Sequence, residues 1–242
     1  MIKNHILNKI SLGKKIWCIL LDPDKLPIEK FDYLFSLINK SSCDYILVGG
    51  SLINNFIFND YIKKIKAISK KPIIIFPGNN QQISQHADGL FLLSLISGRN
   101  PDLLIGQHVK AAFKLKASNL EILPCGYLLI EGDSLTSAIY MSESLPIPKN
   151  KSDIAAATAL AGELLGLQFI YLDKGSGSKS TVQNQMIKTV KKNIEIPLIV
   201  GGGINDRKDL ENVWKAGADI AVIGTSIEKN LNNVLLFDKI YQ

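Results

Sequence analysis

Apolar runs recur along the chain at residues 16–21, 45–48, 73–76, 90–93, 120–123 (running on to 130), 169–172, 198–200 and 220–223. Each is a near-continuous stretch rich in Ile, Val and Leu, the pattern of strands buried on both faces. Helical spacing fills most of the gaps. Ile28, Phe31, Leu34, Phe35 and Ile38 mark a helix over 28–40, and Ile62, Ile65 and Ile68 mark another over 60–70. Asn100 is placed to cap a helix over 101–116, Ser152 or Asp153 an Ala-rich helix over 154–165, and Asp206 a helix over 207–216. Strand and helix alternating in this way predict an α/β fold, a (β/α)8 TIM barrel occupying residues 1–242 as one domain. An open doubly wound sheet is the competing arrangement, but its usual G-x-G-x-x-G after the first strand is absent.

Two connections break the rhythm. Between Phe76 and Leu90 only the short segment PGNNQQISQHADG is available, so the third helix is expected to be reduced or replaced by extended chain. After the fifth strand the connection is instead long (EGDSLTSAIYMSESLPIPKNK, residues 131–151), and long loops at the C-terminal mouth of a barrel usually serve the active site.

Composition narrows the classes. The mean hydropathy is +0.13 with 46% hydrophobic residues, enough for a large core, yet no apolar run reaches the roughly 20 residues of a spanning helix. The first residues, MIKNHILNKISLGKK, are polar and basic and do not read as a secretory signal, so a cytoplasmic location is expected. Cys18, Cys43 and Cys125 are widely spaced and read as reduced, buried thiols. The net charge of +6 comes from 28 basic residues of which only Arg99 and Arg207 are arginine. Lysines scattered along helix faces, such as Lys63, Lys64, Lys66, Lys70 and Lys71, argue against a nucleic-acid surface. A mild positive field does favour a polyanionic small substrate.

The chemistry gathers at the C-terminal ends of the strands. Three runs in the last third end in small-residue turns: FIYLDKGSG (169–177), PLIVGGGI (197–204) and DIAVIGTSI (219–227). Backbone N–H groups in such turns suit a phosphate, and Gly201, Gly202 and Gly203 with Gly224, Thr225 and Ser226 resemble the phosphate cup of many barrels. That cup serves isomerases, aldolases and flavin enzymes alike, so it does not select a reaction. The first strand ends in Asp22-Pro23-Asp24, where Asp22 either caps the next turn or offers hard oxygen to Mg²⁺. Gly49, Gly50 and Ser51 end the second strand, with Ser51 oxygen facing Asp22. Asp173 alternates with Tyr171 and points inward, either salt-bridged to Lys174 or ready to accept a proton from a substrate hydroxyl. His5 is assigned to the tail, His86 to the short crossover and His108 to a packed or surface helix position.

Taken in order, LLDPDK (20–25), VGGS (48–51), FPGN (76–79), SGRNPDLLIGQH (97–108), GYLLIEGDSLTSAIY (126–140), PIP (146–148), ALAGELLG (159–166), YLDKGSG (171–177), VGGGI (200–204) and GTSIEKN (224–230) resemble the geranylgeranylglyceryl phosphate synthase family. The resemblance implies a TIM barrel with an altered third helix and a Mg²⁺-dependent transfer that joins sn-glycerol 1-phosphate to a long prenyl diphosphate through an ether bond. It also implies a homo-oligomer, dimer or hexamer, with at most a transient membrane contact for the lipid product. Position by position it assigns the metal to Asp22 and Ser51. The glycerol phosphate falls to Tyr171, Leu172, Asp173, Lys174, Gly175, Ser176, Gly177, Gly202, Gly203, Gly224 and Thr225. Asp173, the implied proton acceptor, stands where the family commonly has Glu, one methylene shorter. Arg99, Lys149 and Lys151 are candidates for the diphosphate. A barrel isomerase or aldolase acting on a sugar phosphate and a non-catalytic phosphometabolite-binding barrel are the alternatives.

Overall fold

The computed structural model describes residues 1–53 and 58–238. Its elements follow in chain order: α1 Ile2–Ser11, β1 Ile16–Leu21, α2 Phe31–Ile38 (entered through a 3₁₀ turn, Ile28–Lys30), β2 Tyr45–Val48, α3 Phe58–Ile68, β3 Ile73–Ile75 and β4 Gly89–Leu95. A π-turn, Asp102–Gly106, leads into α4 Gln107–Lys116, followed by β5 Glu121–Leu129, α5 Ser137–Ser142, α6 Ser152–Leu164, β6 Phe169–Asp173, α7 Asn184–Asn193 and β7 Leu198–Gly201. The chain ends in α8 Arg207–Lys215, β8 Ile220–Ile223, α9 Thr225–Lys229 and α10 Val234–Phe237. All eight strands pair in parallel in the order β1 to β8, and β8 closes on β1, with Ile16 opposite Ile220.

Alternation along each strand divides the core in two. Ile16, Cys18, Tyr45, Leu47, Ile74, Phe91, Leu123, Cys125, Phe169, Tyr171, Ile199, Ile220 and Val222 fill the barrel, while the residues between them face the helices. Both layers are apolar, which is why the strands read as unbroken hydrophobic runs. All three cysteines are free and buried, and burial holds their thiols above the ordinary range, where they are unreactive.

No helix joins β3 to β4: residues 77–88 cross by turns, as the short segment requires. The predicted helix over 28–40 is regular α-helix only from Phe31 to Ile38. The Ala-rich helix begins without a side-chain cap, its N-cap being Lys151 rather than Ser152 or Asp153. Asp206 does cap α8, accepting from Asp209 N at 2.8 Å.

The opening segment is not a tail. It forms α1, whose Ile2 and Ile6 enter the interior cluster at the N-terminal end of the barrel, and His5 bonds Tyr45 Oη. Glu121 accepts from the backbone N–H of Ile2 and of Lys3, tying the helix start to β5. Ile6 is only 1% exposed, so Ile6→Ala is expected to destabilise the fold by about 2–5 kcal/mol in urea denaturation. A loss below about 1 kcal/mol would mean that α1 is not part of the core.

Three carboxylates latch the same end. Asp44 donates its N–H to Trp17 O and accepts from Trp17 N; Asp88 does the same with Ile73, and Asp219 with Leu198. Each latch is completed by a lysine: Lys9, Lys66 and Lys191. One face of the barrel is thereby committed to stability and the other is left for chemistry. Among the described residues no helix is long and apolar enough to cross a membrane.

Candidate active site

The three glycine-bearing turns meet at the C-terminal mouth. Gly177 N donates to Thr225 Oγ1 at 3.1 Å, and the hydroxyls of Ser176 and Thr225 lie 3.0 Å apart. Gly202 and Gly203 take φ of +82° and +72°, a conformation costly for any side-chain-bearing residue. Space is equally short: a Cβ on Gly202 would lie 2.8 Å from Gly175 N, and one on Gly203 would lie 2.0 Å from Ser180 O. Gly202, Gly203, Gly224 and Thr225 line one wall of a cavity of about 480 Å³.

Asp173 closes β6 at the edge of this cup. Tyr127 of β5 donates its hydroxyl to Asp173 Oδ2, and Gly175 N donates to Oδ1 at 2.7 Å. Burial raises the Asp173 carboxyl above the ordinary carboxylate range, and these two hydrogen bonds partly offset the rise. Burial, then the field of Asp173, holds the Tyr127 phenol well above its usual value, so Tyr127 keeps the proton it donates. Beneath Asp173 the rings of Phe76, Tyr127 and Tyr171 pack with centroids 5.1–5.8 Å apart. Gly201 makes room for this floor, since a Cβ there would fall 2.1 Å from Tyr171 Oη.

Across the mouth, Asp22 directly follows β1. Its Oδ1 accepts from Asp24 N at 3.1 Å, and its Oδ2 lies 3.0 Å from Lys25 Nζ. Gly50 faces it, where a Cβ would stand 3.0 Å from Oδ1; glycine leaves the carboxylate open to the cavity that Ser51 also lines. Glu228 of α9 completes this end. Burial raises its carboxyl, opposed by the positive charge of Lys25. For Lys25 burial works downward, but the bond to Asp22 and the field of Glu228 outweigh it, so its ammonium is raised.

From here the cavity becomes apolar. It runs past Phe76 and Pro77, beyond the end of β3, and continues along Leu90 and Leu92, which face away from the barrel interior, to Ala111 and Leu115 of α4, with Ile83 of the helix-free crossover also lining it. A helix after β3 would occupy this space. Leu103, within the π-turn, also lines the arm, and such wide turns often accompany functional sites.

The cavity therefore gathers Asp22, Ser51, Tyr171, Asp173, Ser176, Gly202, Gly203, Gly224 and Thr225. It does not gather four other residues assigned to the glycerol phosphate. Leu172 packs between sheet and helices, and Gly175 and Gly177 shape the turn without lining the wall. Lys174 turns away from Asp173; it is buried, with Nζ 2.6 Å from Ser180 Oγ and 3.2 Å from Thr181 O, so it braces the turn from behind. Arg99 bonds the carbonyls of Ile96 and Gly98, and neither it nor Lys149 nor Lys151 lines the cavity. Lys25, Tyr127 and Glu228 also line the cavity, and the sequence alone assigns none of them a role. Tyr127 was legible in principle, because it shares the inward phase of Leu123 and Cys125. His108 takes the packed of its two expected settings: it is half-buried in the arm, where burial lowers its imidazole and favours the neutral form.

Fold and site together define a (β/α)8-barrel enzyme whose cavity is polar at one end and apolar at the other. Residues 10–240 match the model of the PcrB family, and the chain belongs to that family. It is 47% identical to the geranylgeranylglyceryl phosphate synthase of Spirosoma linguale, over 90% of this chain and 88% of that protein. It is 40% identical to the protein of the same name from Pyrococcus furiosus, over 94% and 90%. Among solved structures, the (S)-3-O-geranylgeranylglyceryl phosphate synthase of Thermoplasma acidophilum, in complex with sn-glycerol-1-phosphate, superposes with a TM-score of 0.91. That pair is 31% identical, with 98% of this chain and 96% of the other covered. The chain is an enzyme, a prenyl transferase of the type these synthases represent.

Proposed function

We propose that the enzyme forms an ether bond between sn-glycerol 1-phosphate and a long-chain prenyl diphosphate, geranylgeranyl diphosphate being the expected donor, in ether phospholipid biosynthesis. The observation that carries this reading is the single cavity joining the glycine cup and Asp173 to an apolar arm long enough to reach Leu115. A sugar-phosphate isomerase or aldolase would have no use for such an arm.

Bound in the cup, the glycerol phosphate presents its free primary hydroxyl to Asp173. The allylic C–O bond of the diphosphate breaks, a new C–O bond forms between that carbon and the glycerol oxygen, and the hydroxyl proton passes to the Asp173 carboxylate. The floor of Phe76, Tyr127 and Tyr171 offers π faces to the allylic carbon as it becomes cation-like, and it excludes water from it. Holding both substrates in one cavity makes the glycerol hydroxyl, rather than water, the near neighbour.

The residues at the Asp22 end fit a Mg²⁺ ion. Their donors are hard oxygens, and Gly50 keeps Asp22 uncovered. A site of one or two carboxylates completed by substrate phosphate is the usual magnesium arrangement. Asp22 and Ser51 would hold the ion, which supplies neutralisation of the departing diphosphate. The reading includes a cytoplasmic homo-oligomer.

The test is incubation with sn-glycerol 1-phosphate, Mg²⁺ and prenyl diphosphates of increasing length, with mass analysis of the product. Absence of any ether product across the series would sink the proposal. Tyr127→Phe provides a finer check. The Tyr127 hydrogen bond favours ionised Asp173, so its removal raises that carboxyl further. The acid limb of kcat/KM should therefore move to higher pH; a limb that stays in place or moves down would remove Asp173 from the base role.

A further inference from the structure

The two halves of the cavity share one cation. Lys25 Nζ lies 3.0 Å from Asp22 Oδ2, 3.8 Å from Glu228 Oε2 and 3.2 Å from Ser176 Oγ. These partners come from three elements: the end of β1, the helix α9 and the turn after β6. Two belong to the acidic end and the third belongs to the cup, through its 3.0 Å contact with Thr225. The Lys25 side chain is 47% exposed, so its long stem can turn between them without unpacking the core.

Asp22 and Glu228 place two carboxylates near each other, an arrangement that calls for a positive charge between them. An ammonium and a divalent ion compete for Asp22 Oδ2, because like charges at that separation repel in a partly buried site. Building on the function proposed above, we infer that Lys25 is the resident counter-cation of the Asp22 site. It yields Asp22 to the divalent metal and, once displaced, turns toward the phosphate held beside Ser176. Metal binding at one end would thereby prepare the anion site at the other, and each ligand would strengthen the other by the same factor.

The experiment uses the whole chain, as wild type, Lys25→Met and Lys25→Arg. Mn²⁺ binding without substrate is followed by EPR, and sn-glycerol 1-phosphate binding by calorimetry with and without Mg²⁺. Lys25→Met should bind Mn²⁺ about threefold to tenfold more tightly, since a competing ion pair is gone. It should bind glycerol 1-phosphate about tenfold more weakly and lose the enhancement by Mg²⁺. Lys25→Arg, keeping the charge, should stay near wild type in the metal arm. The opposite signs separate this role from mere structural damage, which would weaken both ligands. Unchanged or weaker Mn²⁺ binding by Lys25→Met would overturn the inference while leaving the proposed reaction intact. If the wild-type chain bound neither ligand, the function and the inference would fall together.

Discussion

Asp173→Asn should lower kcat for ether formation by about 10³-fold, the range expected when a positioned general base is lost. The binding of glycerol 1-phosphate should change little, because the cup of Gly202, Gly203 and Thr225 is untouched. The same substitution should make the protein more stable at neutral and alkaline pH. In the folded state burial raises the Asp173 carboxyl above its unfolded value, so the folded chain holds that proton more tightly. Below the unfolded value both states are protonated and there is no penalty. As pH rises through the window between the unfolded and folded values, stability falls, and above the folded value the full cost of the buried carboxylate is present. Asparagine carries no such cost. The difference in Tm between variant and wild type should therefore be near zero in acid and grow with pH. An active variant, or one that loses stability with rising pH relative to wild type, would contradict the assignment.

Gly203→Ala should act on the other substrate. The position requires φ of +72°, and the added methyl would stand 2.0 Å from the carbonyl oxygen of Ser180, a backbone atom with little freedom to withdraw. A left-handed alanine alone costs about 1–2 kcal/mol. Relief of the clash must push the segment at Ser180 away from the cup, and Lys174 and Asp133 both hold that segment. KM for glycerol 1-phosphate is expected to rise by about 10²-fold, the equivalent of losing one or two charge-assisted hydrogen bonds. The KM for the prenyl diphosphate should move far less, since the apolar arm is remote. Steady-state kinetics with each substrate varied in turn would decide; equal effects on both would show general collapse rather than a damaged cup.

The barrel was legible because its strands are buried twice, and a strand with apolar residues on both faces leaves an unbroken run. The missing helix after β3 was legible from chain length alone. The opening helix was missed although Ile2, Ile6 and Ile10 carry its spacing; their polar neighbours obscured it. For the site, strand phase worked in both directions. It placed Tyr171 and Asp173 inside, and it also required Lys174 to face outward, which family resemblance alone did not reveal. Lys25 and Glu228 were beyond reach for another reason. They meet only because β8 closes on β1, a contact between the two ends of the chain that no local pattern encodes. His108 lines the arm because a helix is absent elsewhere, so its helical position said nothing about its surroundings.

The carboxylate latches at the base have a consequence for symmetry. They join β1 to β2, β3 to β4 and β7 to β8, always with the aspartate directly before the even-numbered strand. At the remaining odd–even seam Gln168 N donates to Pro124 O in the same manner, but proline has no N–H to be received, and no aspartate stands there. The backbone therefore carries a fourfold repeat of two-stranded quarters that the amino-acid sequence marks with an aspartate in three of the four. The one quarter without a latch, β5 with β6, is the quarter that brings Tyr127 to Asp173.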